Sequence, residues 1–271
     1  MRIHIRHQTT YAYDRPVDYA AQLLRLTPQS HDGQWVVWWR LAHTDGRPLP
    51  STDDGYGNIL HVLTLTRAHQ SATVIAEGEV ETSDRSGIVR GGVERLPPAY
   101  WLRTTALTEP SERLREIAEA VRGRGDALEV LHALMEAVHR HVRYAADVTD
   151  TGTTADEAVG RGAGVCQDHA HVFASCARLL GHPARYVGGY LQPAGSGGAT
   201  QAGHAWAEAW VGELGWIGFD AANFVCPTDS YVRVAIGLDY SEACPVRGVR
   251  RGLAEETMSV LVDVRPAGAQ Q

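Results

Sequence analysis

Three residue types in the second half of the chain suit nucleophilic acyl transfer: Cys166, His204 and Asp220. A thiol attacks a carbonyl well only as thiolate, so it needs a base nearby, and the base needs an acceptor to orient it. Cys166 follows Gly162-Ala163-Gly164-Val165 and opens a run with helical spacing through Leu180, which Gly181 and Pro183 bring to an end. At a helix start the unpaired N–H groups and the dipole favour negative charge, and the same N–H groups can receive an oxyanion. The small residues before Cys166 are expected to leave room for a substrate.

A hairpin must bring the other two residues together. From His204 to Val211 the chain alternates: His204, Trp206, Glu208 and Trp210 share one face, and Ala205, Ala207, Ala209 and Val211 share the other. Trp216, Gly218 and Asp220 share a face of the next strand, after a turn over Gly212-Glu213-Leu214-Gly215. If Trp210 pairs with Trp216, Trp206 stands opposite Asp220 and His204 is its diagonal neighbour. A slip of one residue puts the pair on opposite faces. Alone, His204 reads as a satisfied strand histidine and Asp220 as a turn residue; the spacing makes them a set.

Neighbouring residues invite other chemistry. Cys166, Asp168, His169 and His171 resemble a ligand cluster, but Cys166 and His171 point about 140° apart on a helix turning about 100° per residue. A single helix cannot gather them on one metal, so no metal is expected. Asp168 reads as a first-turn acid suited to the dipole, and His171 as a residue packed on the sheet. Cys176, Cys226 and Cys244 read as small buried apolar residues. Trp206, Trp210 and Trp216 read as packing, with Trp206 a possible wall of the site. Gly195 to Gly198, inside Pro193–Gly203, lacks a phosphate-loop pattern and reads as a flap. Tyr144 is a candidate second oxyanion donor.

The first eighty-odd residues carry strand patterns, with Ile3, Ile5 and His7 alternating and further runs near 21–27, 35–41, 59–66 and 73–80. Short strands at this spacing predict a sandwich-like β domain over 1–85. Helical patterns follow at 114–121, from Asp126 with Glu129 completing a capping box, and at Thr154 with Glu157. A core of residues 86–271 then adds a strand at 185–192, the hairpin, and a last strand over 258–264 that can return to a sheet.

Of the 271 residues, 44% are hydrophobic and 21% charged, with a net charge of −7, so a real core is available and nucleic acid is not an expected partner. No run approaches the roughly 18 apolar residues of a membrane span, and the amino-terminal residues do not form a secretory signal. The four cysteines contain no C-x-x-C pair, which fits free thiols in a cytoplasmic protein.

Gly164-Val165-Cys166-Gln167-Asp168 with Ala184-Arg185-Tyr186-Val187-Gly188-Gly189-Tyr190 resembles the nucleophile segment of transglutaminase-like proteins. His204-Ala205-Trp206-Ala207-Glu208 and Gly215-Trp216-Ile217-Gly218-Phe219-Asp220-Ala221-Ala222-Asn223 resemble its histidine and aspartate segments. Arg2–Tyr13, Leu24-Arg25-Leu26-Thr27-Pro28 and Tyr56-Gly57-Asn58 resemble the bacterial transglutaminase-like N-terminal region, and Gly237–Gly248 resembles the family's tail. The resemblance spans nearly the whole chain. It implies an α+β protein with a papain-like core, the nucleophile helix packed on an antiparallel sheet. It also implies Cys166 as nucleophile, His204 as acid–base and Asp220 as orienter. No cofactor is implied. The substrate would be a protein or peptide with a carboxamide or amide bond, processed through a thioester by hydrolysis or by transfer to an amine. A silent binding domain is the rival, and a sealed Cys166 would support it. Two departures stand out: Asp220-Ala221-Ala222-Asn223 where the family has Asp-Pro-Thr-Asn, and Gly237-Leu238-Asp239-Tyr240 where it has Gly-Arg-Asp-Tyr.

Overall fold

The computed structural model describes residues 1–43, 49–193 and 203–268. The early part is nearly all strand: β1 (Arg2–Val17), β2 (Tyr19–Thr27), β3 (Gln34–His43), β4 (Ser51–Asp53), β5 (Ile59–Leu65) and β6 (His69–Thr82). Buried and less buried residues alternate along β1 and β6, as a sheet with one face on a core requires. A short β7 (Ile88–Val89) leads to helices α1 (Glu112–Val121) and α2 (Ala127–His141). Then come β8 (Arg143–Tyr144), α3 (Ala155–Arg161), β9 (Ala163–Gly164) and α4 (Cys166–Leu179). The chain continues through β10 (Ala184–Leu191), β11 (His204–Val211), β12 (Gly215–Phe219), β13 (Tyr231–Gly237), α5 (Tyr240–Ala243), β14 (Val246–Arg251) and β15 (Glu256–Pro266).

Both expected capping boxes form. Asp126 accepts from the Leu128 and Glu129 N–H groups at 2.9 Å while the Glu129 carboxylate accepts from the Asp126 N–H, and Thr154 and Glu157 exchange the same pair of bonds. Helix α4 ends as its sequence predicts: Gly181 has φ +86°, its N–H reaches the Arg178 carbonyl, and the His182 N–H reaches that of Ala177.

Three larger sheets result, in the orders β15-β1-β6-β3, β14-β2-β5-β4 and β13-β10-β11-β12-β7. The strand expected at 258–264 does return, pairing antiparallel with β1 so that His7 faces Val262 and Thr9 faces Val260. Strands β13 and β14 were not anticipated. In β14 the run Val246-Arg247-Gly248-Val249-Arg250-Arg251 has little apolar pattern, and its conformation comes from pairing with β2.

Helix α4 is the centre of the core. Every residue from Gln167 to Arg178 is buried, with α1, α2 and α3 packed about it and β10 and β11 beneath. The methyl-sized Ala207 and Ala209 let the helix lie close to the sheet. Its polar residues find partners in the surrounding loops. Ser175 donates to the Thr108 carbonyl at 2.9 Å, and Arg178 donates to the carbonyls of Trp101, Ala184 and Leu238.

Side-chain amides cover the edge of the core sheet. Strand β13 lies at its rim, where backbone groups would go unpaired. Gln34 accepts from the Arg233 N–H and donates to its carbonyl, both at 2.8 Å, and Asn58 makes the same two 2.8 Å bonds with Ile236. Gln34 of β3 and Asn58, just before β5, therefore dock the early strands to the sheet that carries the site.

Candidate active site

The hairpin adopts the expected register, with Trp210 opposite Trp216 and Glu208 opposite Gly218. His204, at the start of β11, consequently reaches Asp220 just beyond β12, and its Nε2 donates to Asp220 Oδ2 at 2.6 Å. The Cys166 sulfur lies near the same ring, close enough to help raise the His204 pKa, so the three residues form one cluster. Cys166 is half-buried at the first turn of α4 and lines a cavity of about 760 Å³, so it is not sealed from solvent.

Asp220 is held from several directions. Its Oδ2 also accepts from Tyr231 Oη and Asn223 Nδ2 at 2.8 Å, and its Oδ1 accepts from the Ala222 and Asn223 N–H groups at 3.0 and 3.2 Å. Burial pushes this carboxyl up, but the bond and charge of His204 together with Asn223 and Tyr231 outweigh it and hold the group below its ordinary value. For His204, burial favours the neutral ring. The bond to Asp220, the thiol of Cys166 and their charges prevail, and its pKa rises to about 10. The site therefore favours an imidazolium between a carboxylate and a sulfur.

The segment before Cys166 serves the backbone more than the substrate. Gly162 ends α3 in the left-handed region, at φ +65°. At Gly164 a Cβ would meet Asp168 atoms at 2.6–2.8 Å, because Asp168 folds back to accept from the Val165 N–H at 2.7 Å and from Thr149 Oγ1 at 2.7 Å. That closes the amino-terminal turn of α4 and leaves the earlier N–H groups free of intrahelical partners. The expectation that these glycines make room for substrate is thus corrected: neither lines the cavity.

The other candidates separate in space. His169 bridges the Val165 and Val142 carbonyls at 2.8 and 2.7 Å, while His171 is fully buried against Tyr186 and accepts the Tyr240 N–H at 3.0 Å. Trp206 stacks on His204 with ring centres 6.2 Å apart, so it backs the imidazole and does not wall the cavity. Cys176 and Cys244 are buried as expected, but Cys226 is partly exposed, on the loop after Asp220. Tyr144 is exposed and lines the cavity near Cys166, where burial and the nearby sulfur raise its pKa. The Gly195–Gly198 flap lies outside the described residues.

Both departures from the family pattern become legible. The turn after Asp220 closes through paired backbone bonds between Asp220 and Val225, with Ala221 and Ala222 inside it. Leu238 is buried in the aromatic cluster with Trp101 and Trp206, away from the cavity, so its side chain replaces no substrate contact.

Sequence reasoning missed a second ionic group on β11. Glu208 is fully buried and accepts from Arg185 Nε at 2.6 Å and Arg233 Nε at 2.8 Å, while Arg185 also reaches Glu94 and lies 3.9 Å over the Trp216 ring. Tyr231, on Asp220, was missed as well. Alternation placed Glu208 on the face of His204, but nothing local marks partners 23 and 25 residues away.

Residues 115–221 match the family model for the transglutaminase-like superfamily, and residues 3–81 match that for the bacterial transglutaminase-like N-terminal region. An uncharacterized protein of Mycobacterium tuberculosis is 30% identical over 98% of this chain and 93% of its own length. The chain belongs to the transglutaminase-like superfamily. An uncharacterized Mycobacterium leprae protein is 27% identical over 97% of this chain and 98% of its own. Among solved structures, a candidate cysteine protease from Cytophaga hutchinsonii superimposes with a TM-score of 0.77 at 21% identity, covering 100% of this chain and 92% of the other. That likeness extends the shared fold over the full length. The architecture is α+β, with a papain-like core in which α4 packs on an antiparallel sheet.

Proposed function

We propose that this protein is a cysteine-nucleophile amide or peptide hydrolase working through a thioester. The observation that carries the reading is the His204–Asp220 bond beside Cys166, with Cys166 and His204 both lining a cavity at a helix start. The Cys166 sulfur attacks the carbonyl carbon of an amide, and the oxyanion is received by the first-turn N–H groups of α4 with Tyr144 alongside. His204 gives its proton to the departing nitrogen as the C–N bond breaks, leaving an acyl thioester. It then takes a proton from water, whose oxygen attacks the thioester, and the carboxylic acid leaves as the C–S bond breaks. Asp220 holds the ring in position and balances its charge. The substrate is a protein or peptide amide, and no cofactor takes part. The free thiols suit the cytoplasm.

An amine in place of water would make the same thioester the donor in a transfer reaction. All 25 basic residues outside the histidines are arginine, so the chain offers no lysine to accept its own acyl group. Amine incorporation is therefore assayed with an added primary amine and a separate acyl donor.

Iodoacetamide labelling, with each cysteine resolved by mass spectrometry, tests the reading. Cys166 is expected to alkylate faster than Cys226 near neutral pH, and His204→Ala to slow Cys166 alone. Equal rates at the two cysteines, unchanged by the substitution, would return the protein to the class of silent binding domains.

A further inference from the structure

The cavity beside Cys166 extends well past that cluster. It runs between the core and the early sheets, where His7, Thr9 and Tyr11 of β1 and, beside them in the same sheet, Met258, Val260 and Val264 of β15 form one wall. Tyr186, Tyr190 and Leu191 of β10 form its core side. At about 760 Å³ it falls in the range of pockets that enclose a substantial ligand.

The chemistry of the lining is uneven. Its deep polar groups satisfy one another: His7 Nδ1 bonds Tyr190 Oη at 2.9 Å and His7 Nε2 bonds Thr9 Oγ1 at 3.1 Å, all three residues being buried. Burial lowers the His7 pKa to about 4, so this end carries no charge at neutral pH. Apart from His204, the one ionic residue among the described lining is Asp147, which is exposed at the mouth. No described arginine lines the cavity, although the chain has 25. A charged group placed deep inside would be desolvated without a counter-ion.

The two sides of the nucleophile differ correspondingly. Toward the loop after Asp220 the surface is open, with Asn223, Phe224 and Val225 exposed. A leaving amine must depart and a second nucleophile must arrive, which needs an open side. The acyl portion stays bonded to sulfur between the two steps, which suits the side walled by β1, β15 and β10.

We propose that this cavity is the acyl subsite and selects substrates with a bulky uncharged side chain, aromatic or branched aliphatic, next to the reacting carbonyl. The proposal rests on Cys166 being the nucleophile. It adds a role for β1 and β15: these strands form the specificity wall.

Chloromethyl ketones of N-acetylated amino acids test it independently of any leaving amine, since sulfur bonds to the methylene carbon as chloride departs. The phenylalanine and leucine reagents are expected to label Cys166 about tenfold or more faster than the glycine, aspartate and lysine reagents. In Val260→Trp, whose indole would occupy the cavity, the phenylalanine-to-glycine ratio is expected to collapse toward one. Met258→Trp reads the same ratio from a more exposed position on β15 if the first variant does not fold. Equal rates across the reagents, a preference for a charged one, or a ratio unchanged in the folded variant would overturn the proposal. Iodoacetamide separates the two failures. Fast labelling of Cys166 without side-chain preference sinks only the subsite, whereas labelling no faster than Cys226 sinks the nucleophile itself.

Discussion

Strand β11 contributes to two buried carboxylate clusters with different partners. At its open end His204 meets Asp220, beside a half-buried sulfur and a cavity. Four residues along, Glu208 lies between Arg185 and Arg233 with no exposed surface. Burial raises both carboxyls, and in both the partners win; Glu208 falls to about 2 under the charges of Arg233 and Arg185. The partner makes the difference. A guanidinium cannot give up its proton at working pH, so Glu208 is locked into one state, whereas an imidazole can exchange a proton with sulfur, substrate or water. In the proposed mechanism a desolvated carboxylate thus serves architecture in one place and proton transfer in the other.

The sharpest test replaces each carboxylate by its amide. Asp220→Asn is expected to lower the acylation rate by ~10³–10⁴-fold, because the amide no longer enforces the correct ring tautomer. Its melting temperature should change far less than that of Glu208→Gln, which strands Arg233 and leaves Arg185 with Glu94 alone, and which should cost about 3–5 kcal/mol in denaturant unfolding. Similar stability losses and similar rate losses in the two variants would erase the distinction.

Titration separates the clusters next. His204 is raised from 6.5 to about 10, so its contribution to stability is fully present below pH 6.5 and is lost as pH rises through 10. Glu208 is depressed from 4.5 to about 2, so its contribution is present above pH 4.5 and is lost as pH falls through 2. Urea unfolding across pH 6.5–10 should weaken the wild type more steeply than His204→Gln, and the acid window should distinguish Glu208→Gln instead. A wild type with flat stability across the alkaline window would contradict the His204 assignment.

The smallest effect expected is that of Tyr231→Phe. It removes one of five bonds to Asp220, and about 0.5–1.5 kcal/mol in unfolding is anticipated, with acylation slowed modestly. A loss as large as that of Asp220→Asn would make Tyr231 part of the proton chemistry and not only a support.

How much was legible follows the same division. Alternation over His204–Val211 and the short turn after it dictate the register, so the His204–Asp220 contact was readable. The helix start at Cys166, the capping boxes and the Gly181 stop depend on neighbours within a few residues, and they were readable too. Glu208's arginines, Tyr231 on Asp220, and the Gln34 and Asn58 bonds to β13 were not. Each joins residues far apart in sequence, through a geometry that exists only once the sheets have docked. The glycines before Cys166 mislead for a related reason. Their smallness answers to Asp168 folding back over Gly164, which residue size alone does not disclose.

The pairing of β15 with β1 also sets an order of events. Ile3 meets Pro266 and Tyr13 meets Glu256, contacts about as non-local as this chain permits, and such pairings close slowly. During synthesis Cys166, His204 and Asp220 are all made before the strand that completes the cavity. A growing chain could thus hold the Cys166 sulfur beside His204 while lacking the proposed acyl wall. Selectivity for substrate would then arrive last, as a property of the finished sheet.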